Sequence, residues 1–452
     1  MAGTFYGADA AQLRSLAARA GSGAGSVGAL QRRLGAEIAG SAYWQGHDAG
    51  AFRSEWDRVH AQSLARAVAG LEQMQRELTA HADQQESASA AAGAPAPSGG
   101  SPSGGSTPST VPPSTAPAGA PPSVLLTPAA LSALTPHQVG RWWAGLDAAG
   151  RADFLRLYPY AAGNTDGLPV DTRIEANRVA AGTRLAELER EGRGSTEEAQ
   201  YLRNTVKGNI RLAAYDPSKG NLIQMIGDYD GSTTTVLTYV PGTFATAGDF
   251  YAGSAQKMAA YLQQSDPTGR TAAFVYKNSE FPQDGTFRQS ADKAFGEAAG
   301  RKLAAFESGL ADQNPSGART VAVSHSWGEA AVASSEMYGT HYDRQISLSG
   351  AWMPEGWKAD PGTAYDHFAY DFDALATAQG LGLVGDKYPL ADPAFTKHIY
   401  DDPARNIVLG PVKITTDPMA KIDNHSLIAN AQDARNRAAR EDVAKLIFGG
   451  RR

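Results

Sequence analysis

Residues Thr320-Val321-Ala322-Val323-Ser324-His325-Ser326-Trp327-Gly328-Glu329-Ala330-Ala331 decide how this chain folds. Thr320 to Ser324 reads as an apolar strand, Ser324 to Gly328 as a small-x-Ser-x-Gly turn, and the alanines beyond as a helix. Small residues around Ser326 let strand and helix approach closely, and the sharp turn lifts the hydroxyl clear of the main chain. The turn strains the backbone by roughly 1–3 kcal/mol, which is normally tolerated only where a position has a task. Ser324 stands where such a turn usually has its first glycine; it is small but less permissive.

Outward from this segment, short apolar runs alternate with helical ones. Strands are predicted at Leu222–Ile226, Thr234–Val240, Ala272–Tyr276, Gln345–Leu348 and His367–Tyr370, with a turn at Asp230-Gly231. Helices are predicted at about 250–264, 286–310 and 328–338, and a closing helix from Ser426 to Phe448. That alternation predicts an α/β class with a mostly parallel sheet covered on both faces. Ahead of it, Thr127 to about Ala214 reads as helical. Thr127-Pro128 and Thr135-Pro136 look like helix starts with Pro at the first helical position. Ser195 with Glu198 forms a capping-box pattern, followed by Leu202, Val206 and Ile210 on one face.

Residues 87–124 contain no charged side chain and almost no large apolar one; Ala, Pro, Ser, Gly and Thr fill the stretch. It cannot bury enough apolar surface to offset its conformational entropy, so it reads as a disordered linker spanning on the order of 30–40 Å. Residues 1–86 before it read as an all-α helical hairpin with its turn at Ser41 to Asp48, the glycines from Gly21 to Gly28 interrupting the first helix. Residues 125–452 form the second unit, an α/β domain with an N-terminal helical extension.

The 452 residues carry 41 Lys+Arg against 47 Asp+Glu, a formal charge of −6, and no Cys. A mildly acidic balance argues against a nucleic-acid partner. The absence of cysteine excludes disulfides, thiolate metal sites and a cysteine nucleophile. No apolar run reaches the roughly 18 residues of a membrane span, and the start MAGTFYGADAAQLR lacks the regions of a cleavable signal peptide.

A serine at its ordinary pKa is a weak nucleophile and needs a histidine base oriented by an acid. With the nucleophile on a strand-to-helix turn, the chain order is Ser, acid, His. His341 follows the turn too closely and His367 precedes any suitable acid, so His425, in the loop Asp423-Asn424-His425-Ser426 before the final helix, is the expected base. Asp373, at the end of the His367–Tyr370 strand, is the expected acid, with Asp371 in reserve. Two backbone donors are expected for an oxyanion: the amide of Trp327, and that of Thr243 or Phe244 in the turn Val240-Pro241-Gly242-Thr243-Phe244.

Two resemblances extend this reading. Tyr43-Trp44-Gln45-Gly46, followed by Phe52 and Trp56, resembles the WXG-motif family of small helical hairpins exported by type VII secretion systems of actinobacteria and related bacteria. The resemblance implies a tight bend at Gly46, Trp44 packed across the helix crossing, and a WXG-type helical partner protein. That family carries an export signal of Tyr, three residues and an acid after its second helix. No Tyr occurs here between Tyr43 and Tyr158, so secretion by this route would need the partner to supply the signal; otherwise the chain is cytoplasmic.

The second resemblance covers about residues 138 to 430. Trp142-Trp143-Ala144-Gly145-Leu146, the run Gly163 to Pro169 with Arg173, Ala176, Asn177 and Arg178, Val240 to Thr243, and His325-Ser326-Trp327-Gly328 together resemble an actinobacterial α/β-hydrolase family long catalogued as a domain of unknown function. It implies an α/β-hydrolase fold, serine-hydrolase chemistry and Ser326 as nucleophile, with departures at Ser324 and at Trp327, where Tyr is commoner. The expected substrates are small carboxylic esters, lipid esters among them, cleaved through an acyl-enzyme without metal or cofactor. A peptidase or transacylase could use the same residues. The rival reading is a catalytically inactive hydrolase-fold interaction protein or effector linked to type VII secretion.

Gly380 to Gly385 matches the string G-x-G-x-x-G but lacks the strand before and helix after that a dinucleotide site needs, so it reads as a loop. The apolar segment Ala351 to Trp357 reads equally as a lid or a packed loop.

Overall fold

The computed structural model describes residues 10–40, scattered positions between 53 and 86, residues 125–283, 288–314, 317–371, 373, 375, 379, 387–401, 406–409, 412–415 and 420–449. The turn with Trp44 and Gly46, the linker 87–124 and the Gly380–Gly385 string lie outside them. The chain divides into two units, Met1–Ala120 with Gly380–Leu383, and the remainder.

In the first unit one helix runs from Ala10 to Gly40 without a break. The glycines at 21–28 do not interrupt it; at Gly21, where a Cβ would stand 2.7 Å from the Gln75 side chain, close contact with the second segment offsets the poor helix propensity. Further contacts run antiparallel. Arg14 pairs with Asp83 and Glu86, Gln31 donates to the Ala61 carbonyl and Arg53 to that of Ile38.

The second unit is built on an eight-stranded sheet: β1 (Arg211–Asp216), β2 (Asn221–Ile226), β3 (Thr235–Val240), β4 (Thr271–Lys277), β5 (Arg319–His325), β6 (Arg344–Leu348), β7 (Ala364–Tyr370) and β8 (Phe395–Tyr400). Their order is β1-β2-β4-β3-β5-β6-β7-β8. β2 is antiparallel to both neighbours, and every pairing from β4 to β8 is parallel. The architecture is therefore the expected mostly parallel α/β one. A separate hairpin pairs β9 (Asn406–Leu409) with β10 (Val412–Thr415).

Strand side chains alternate between two cores, as the two-residue period dictates. Leu237, Tyr239, Val321 and Val323 face one, closed by Ala259 and Leu262 of helix Lys257–Gln264 and by Val443 and Ile447 of helix Arg437–Phe448. Val236, Val240, Phe274 and Ala322 face the other, closed by Leu303 and Phe306 of helix Lys293–Ala311 and by Ala330 to Val332 of helix Gly328–Met337. β5 lies inside the sheet, so the turn after it opens at the carboxyl ends of buried parallel strands, where open α/β sheets place their sites.

The helical extension has its own core of Leu131, Val139, Trp142, Trp143, Phe154 and Leu168. Thr127 and Thr135 cap helices with Pro at the first position, as expected. Elsewhere the boundaries differ. Thr196, not Ser195, caps helix Glu197–Val206, its hydroxyl accepting from the Ala199 amide. The helix ends at Val206, and the run from Arg211, expected to continue it, pairs with β2 as a strand. Ile210 therefore does not share a helix face with Leu202. The closing helix is two: Ala420–Leu427, then, after a break, Arg437–Phe448.

The run Gly163–Pro169 with Arg173 and Asn177 fastens the extension to β1. Asn164 exchanges hydrogen bonds with the Tyr215 main chain, Asn177 donates to the Gly163 and Leu212 carbonyls, and buried Arg173 pairs with Asp166 at 2.9 Å. Each Asn satisfies main-chain groups that burial would otherwise orphan.

Candidate active site

Ser326 follows the last residue of β5 and takes φ 52°, in the left-handed region. Its amide donates to the Leu348 carbonyl at 3.0 Å, and its carbonyl accepts from Ala351 at 2.9 Å and Glu329 at 3.1 Å, so the strained turn is tied to the end of β6. Among the described residues the other non-glycine positions with positive φ are Phe244 and Ser349, in the segments after β3 and β6. The strain is thus gathered around one serine.

Gly328 is required by close approach. A Cβ there would stand 2.3 Å from the Val240 carbonyl oxygen, where the starting helix crosses the end of β3. Gly328→Ala is expected to destabilise the protein by about 1–3 kcal/mol, the usual range for overpacking, read as a lower urea midpoint; an unchanged midpoint would contradict this crossing. Ser324 needs no glycine, since its buried hydroxyl lies 2.5 Å from Glu329 Oε2.

His425 Nε2 lies 2.8 Å from Ser326 Oγ, and His425 Nδ1 lies 3.1 and 3.2 Å from the two carboxylate oxygens of Asp373. The topology explains the span: β7 lies two strands from β5, roughly 10 Å, and the imidazole fills the gap between their ends. His425 sits in the last turn of helix Ala420–Leu427, not in the expected loop. Asp373 is 1 % exposed. Burial alone would raise its carboxyl, but the hydrogen bond and charge of His425 and the Leu375 amide outweigh that and hold it below the usual carboxylate range. Asp371, the reserve acid, is not in this contact; its amide donates to the Tyr400 carbonyl and its carbonyl accepts from Asn424 Nδ2.

Gly242 presses against Ser326, since a Cβ on it would stand 2.8 Å from Ser326 Cβ. The next amide, Thr243, and that of Trp327 have no partner among the described residues. The Phe244 amide donates to the Pro282 carbonyl at 2.9 Å, so the expectation that Phe244 could serve as an oxyanion donor is corrected: that hydrogen is already used. The buried Trp327 indole packs between Phe281 and Phe295.

Sequence reasoning missed two neighbours of the turn. His325 Nε2 lies 3.0 Å from the His425 carbonyl oxygen. Glu329, fully buried beneath the turn, accepts from Gln345 Nε2 at 2.7 Å and lies against Ser324, and burial first of all pushes its carboxyl up to about 8. A charged residue inside an Ala-rich helix was the only available signal. Ala351 to Trp357 is a packed segment: Trp352 donates to the Ser290 carbonyl, and the buried Trp357 donates to Glu336, meets Tyr365 edge to face and packs at a tilt against Phe395. Among the described residues no cluster of three or more His, Asp or Glu could hold a metal ion, and no helix is long and apolar enough to cross a membrane.

No family model matches the chain. Two uncharacterized proteins from two strains of Mycobacterium tuberculosis are 27% identical over 278 residues, covering 52% of this chain and 41% of their own length, so the chain spans well under half of these relatives. Among solved structures, a Bacillus cereus carboxylesterase is 15% identical with a TM-score of 0.29, covering 44% of this chain and 89% of that one. A dienelactone hydrolase-like promiscuous phosphotriesterase from metagenomic libraries is 14% identical with a TM-score of 0.32, covering 54% and 93%. A carboxylesterase of Mesorhizobium loti is 14% identical with a TM-score of 0.29, covering 49% and 100%.

Proposed function

We propose that this chain is an α/β-hydrolase that cleaves small carboxylic esters, lipid esters among them, through an acyl-enzyme on Ser326. The observation that carries the reading is the continuous contact from Ser326 Oγ through the His425 ring to Asp373. Ser326 Oγ attacks the acyl carbon while His425 Nε2 takes its proton, and Asp373 holds the ring in the tautomer whose Nε2 is free to do so. The negative charge that develops on the acyl oxygen meets the Trp327 and Thr243 amides, which need no reorganisation to receive it. His425 then gives the proton to the departing alcohol. Water, deprotonated by His425, attacks the acyl carbon and releases the acid and Ser326.

In the rival reading, a silent scaffold, Ser326, His425 and the acid need not converge, and a His425 ring out of reach of Ser326 would favour it; the 2.8 Å separation gives it no such support. Pairing with a WXG-type partner and secretion by a type VII-like route remain proposals from the sequence resemblance alone.

A fluorophosphonate probe with peptide mapping tests the reading. The expected result is one label, on Ser326, lost in Ser326→Ala, together with turnover of short-chain nitrophenyl esters that the same variant abolishes. A folded protein inert to both probe and esters, or equal activity in Ser326→Ala, would refute it.

A further inference from the structure

We propose that His325, the residue before the nucleophile, is a positioning residue for this reaction: its ring donates a hydrogen bond to the main-chain carbonyl of His425 and so fixes the base against Ser326. The proposal rests on the serine-hydrolase reading above. A carbonyl oxygen only accepts, so the 3.0 Å contact puts a hydrogen on His325 Nε2. The two imidazoles also lie against each other in a tilted arrangement, their centroids 5.1 Å apart at 36°. On its other side, His325 Nδ1 would stand 3.1 Å from a Cβ on Gly242, so the ring abuts the loop that carries the Thr243 amide. One side chain therefore joins the turn that carries Ser326 to the main chain of His425 and to the Gly242 turn.

The connectivity makes the restraint tight. His325 is covalently joined to Ser326, and its ring is bonded to the main chain of His425. The Ser326 Oγ to His425 Nε2 contact is thus spanned by a second link that bypasses the reacting atoms. Without it, the His425 ring is left to its contact with Asp373 and to the turn of helix that carries it. The groups facing the His325 ring are His425, Asp373 and the Gly242 turn. Burial and the adjacent His425 ring hold its own titration down at about 4, so it stays neutral through the working range and sets no second cation beside the imidazolium that forms on His425.

The test compares His325→Ala, His325→Gln, His325→Phe, His425→Ala and the double variant His325→Ala/His425→Ala in the full chain, with kcat and KM measured on a nitrophenyl ester. His325→Ala is expected to lower kcat by about 10- to 100-fold with KM changed less than about threefold, the range for losing a group that orients a reactive one. His325→Gln keeps an N–H donor and recovers part of the loss; His325→Phe fills the space without a donor and recovers none. In the His425→Ala background, adding His325→Ala changes the residual rate less than about twofold, because nothing is left to position. Wild-type activity in His325→Phe, or the same loss from His325→Ala with and without His425, would overturn the proposal. If His325→Ala fails to fold, the Gln against Phe comparison decides. Full activity in His425→Ala would instead refute the serine-hydrolase reading itself.

Discussion

Asp373→Asn is expected to lower ester turnover by about four orders of magnitude, while Asp371→Asn stays within about threefold of the parent. The reason lies in hydrogen-bond direction. Asp373 accepts at both oxygens, 3.1 and 3.2 Å from His425 Nδ1, and thereby requires the hydrogen on Nδ1 and the lone pair on Nε2. An asparagine of the same shape can turn its NH2 group toward Nδ1. The ring then carries its hydrogen on Nε2, facing Ser326 Oγ, and has no lone pair with which to take the serine's proton. The negative charge that balances the imidazolium is lost as well. Four orders of magnitude correspond to about 5 kcal/mol of barrier, and the loss should fall on kcat rather than KM, because this carboxylate is buried behind His425. Asp371 uses its main chain to join Tyr400 and Asn424, and the substitution keeps both contacts. Steady-state kinetics on purified variants with matched thermal unfolding decides the matter. A loss in Asp371→Asn equal to or above that in Asp373→Asn would move the acid to residue 371.

Ser326 and His425 were legible as candidates from one-dimensional rules, small residues at a sharp turn and a chain order of nucleophile, acid and base, whereas the same rules left Asp373 with Asp371 in reserve, and it is the Asp373 carboxylate that lies against His425 Nδ1. The sequence could not separate Thr243 from Phe244, since the choice depends on Pro282, about 40 residues away, whose carbonyl takes the Phe244 hydrogen. Nor could it place Arg211–Asp216 in the sheet. Arg211-Leu212-Ala213-Ala214 has good helix formers, and only pairing with β2 makes it a strand, tertiary contact overriding local propensity. The helix break between Leu427 and Arg437 is set by Asn436, whose buried amide donates to the Ile428 and Asn430 carbonyls at 3.0 Å each. Ser195 and Thr196 offered adjacent hydroxyls for one cap, and geometry chose the second. For Phe244 and for Arg211–Asp216 the deciding partner lies in another segment of the chain, beyond what local periodicity and capping can read.

Glu329→Gln is expected to make the stability of the protein markedly less sensitive to pH between about 5 and 8, with the variant the more stable of the two at pH 8. Glu329 is fully buried and its carboxyl is held up to about 8 against an ordinary 4.5, chiefly by burial. Between those values the unfolded chain has released this proton and the folded one has kept it. The unfolded state binds fewer protons, so stability falls as pH rises, by about 1.4 kcal/mol for each pH unit, or roughly 4 kcal/mol over the window. Glutamine has the shape of the neutral acid. Its oxygen can accept from Gln345 Nε2 as Glu329 Oε1 does, and its amide can donate to the Ser324 hydroxyl, so the contacts survive and the proton dependence disappears. Glu307 and Glu336, each raised to about 7, add declines of the same sign, and His325 and His367, each lowered to about 4, add an opposite slope below the ordinary histidine value of 6.5. All four are present in both proteins, so the difference between the two curves isolates Glu329. Urea unfolding at pH 5, 6.5 and 8 measures it; parallel curves would show that the buried carboxyl ionises without penalty. Glu329→Ala separates charge from shape, because it strands the Gln345 amide and the Ser324 hydroxyl and should lose about 1–3 kcal/mol even at pH 5, where the wild-type carboxyl is neutral.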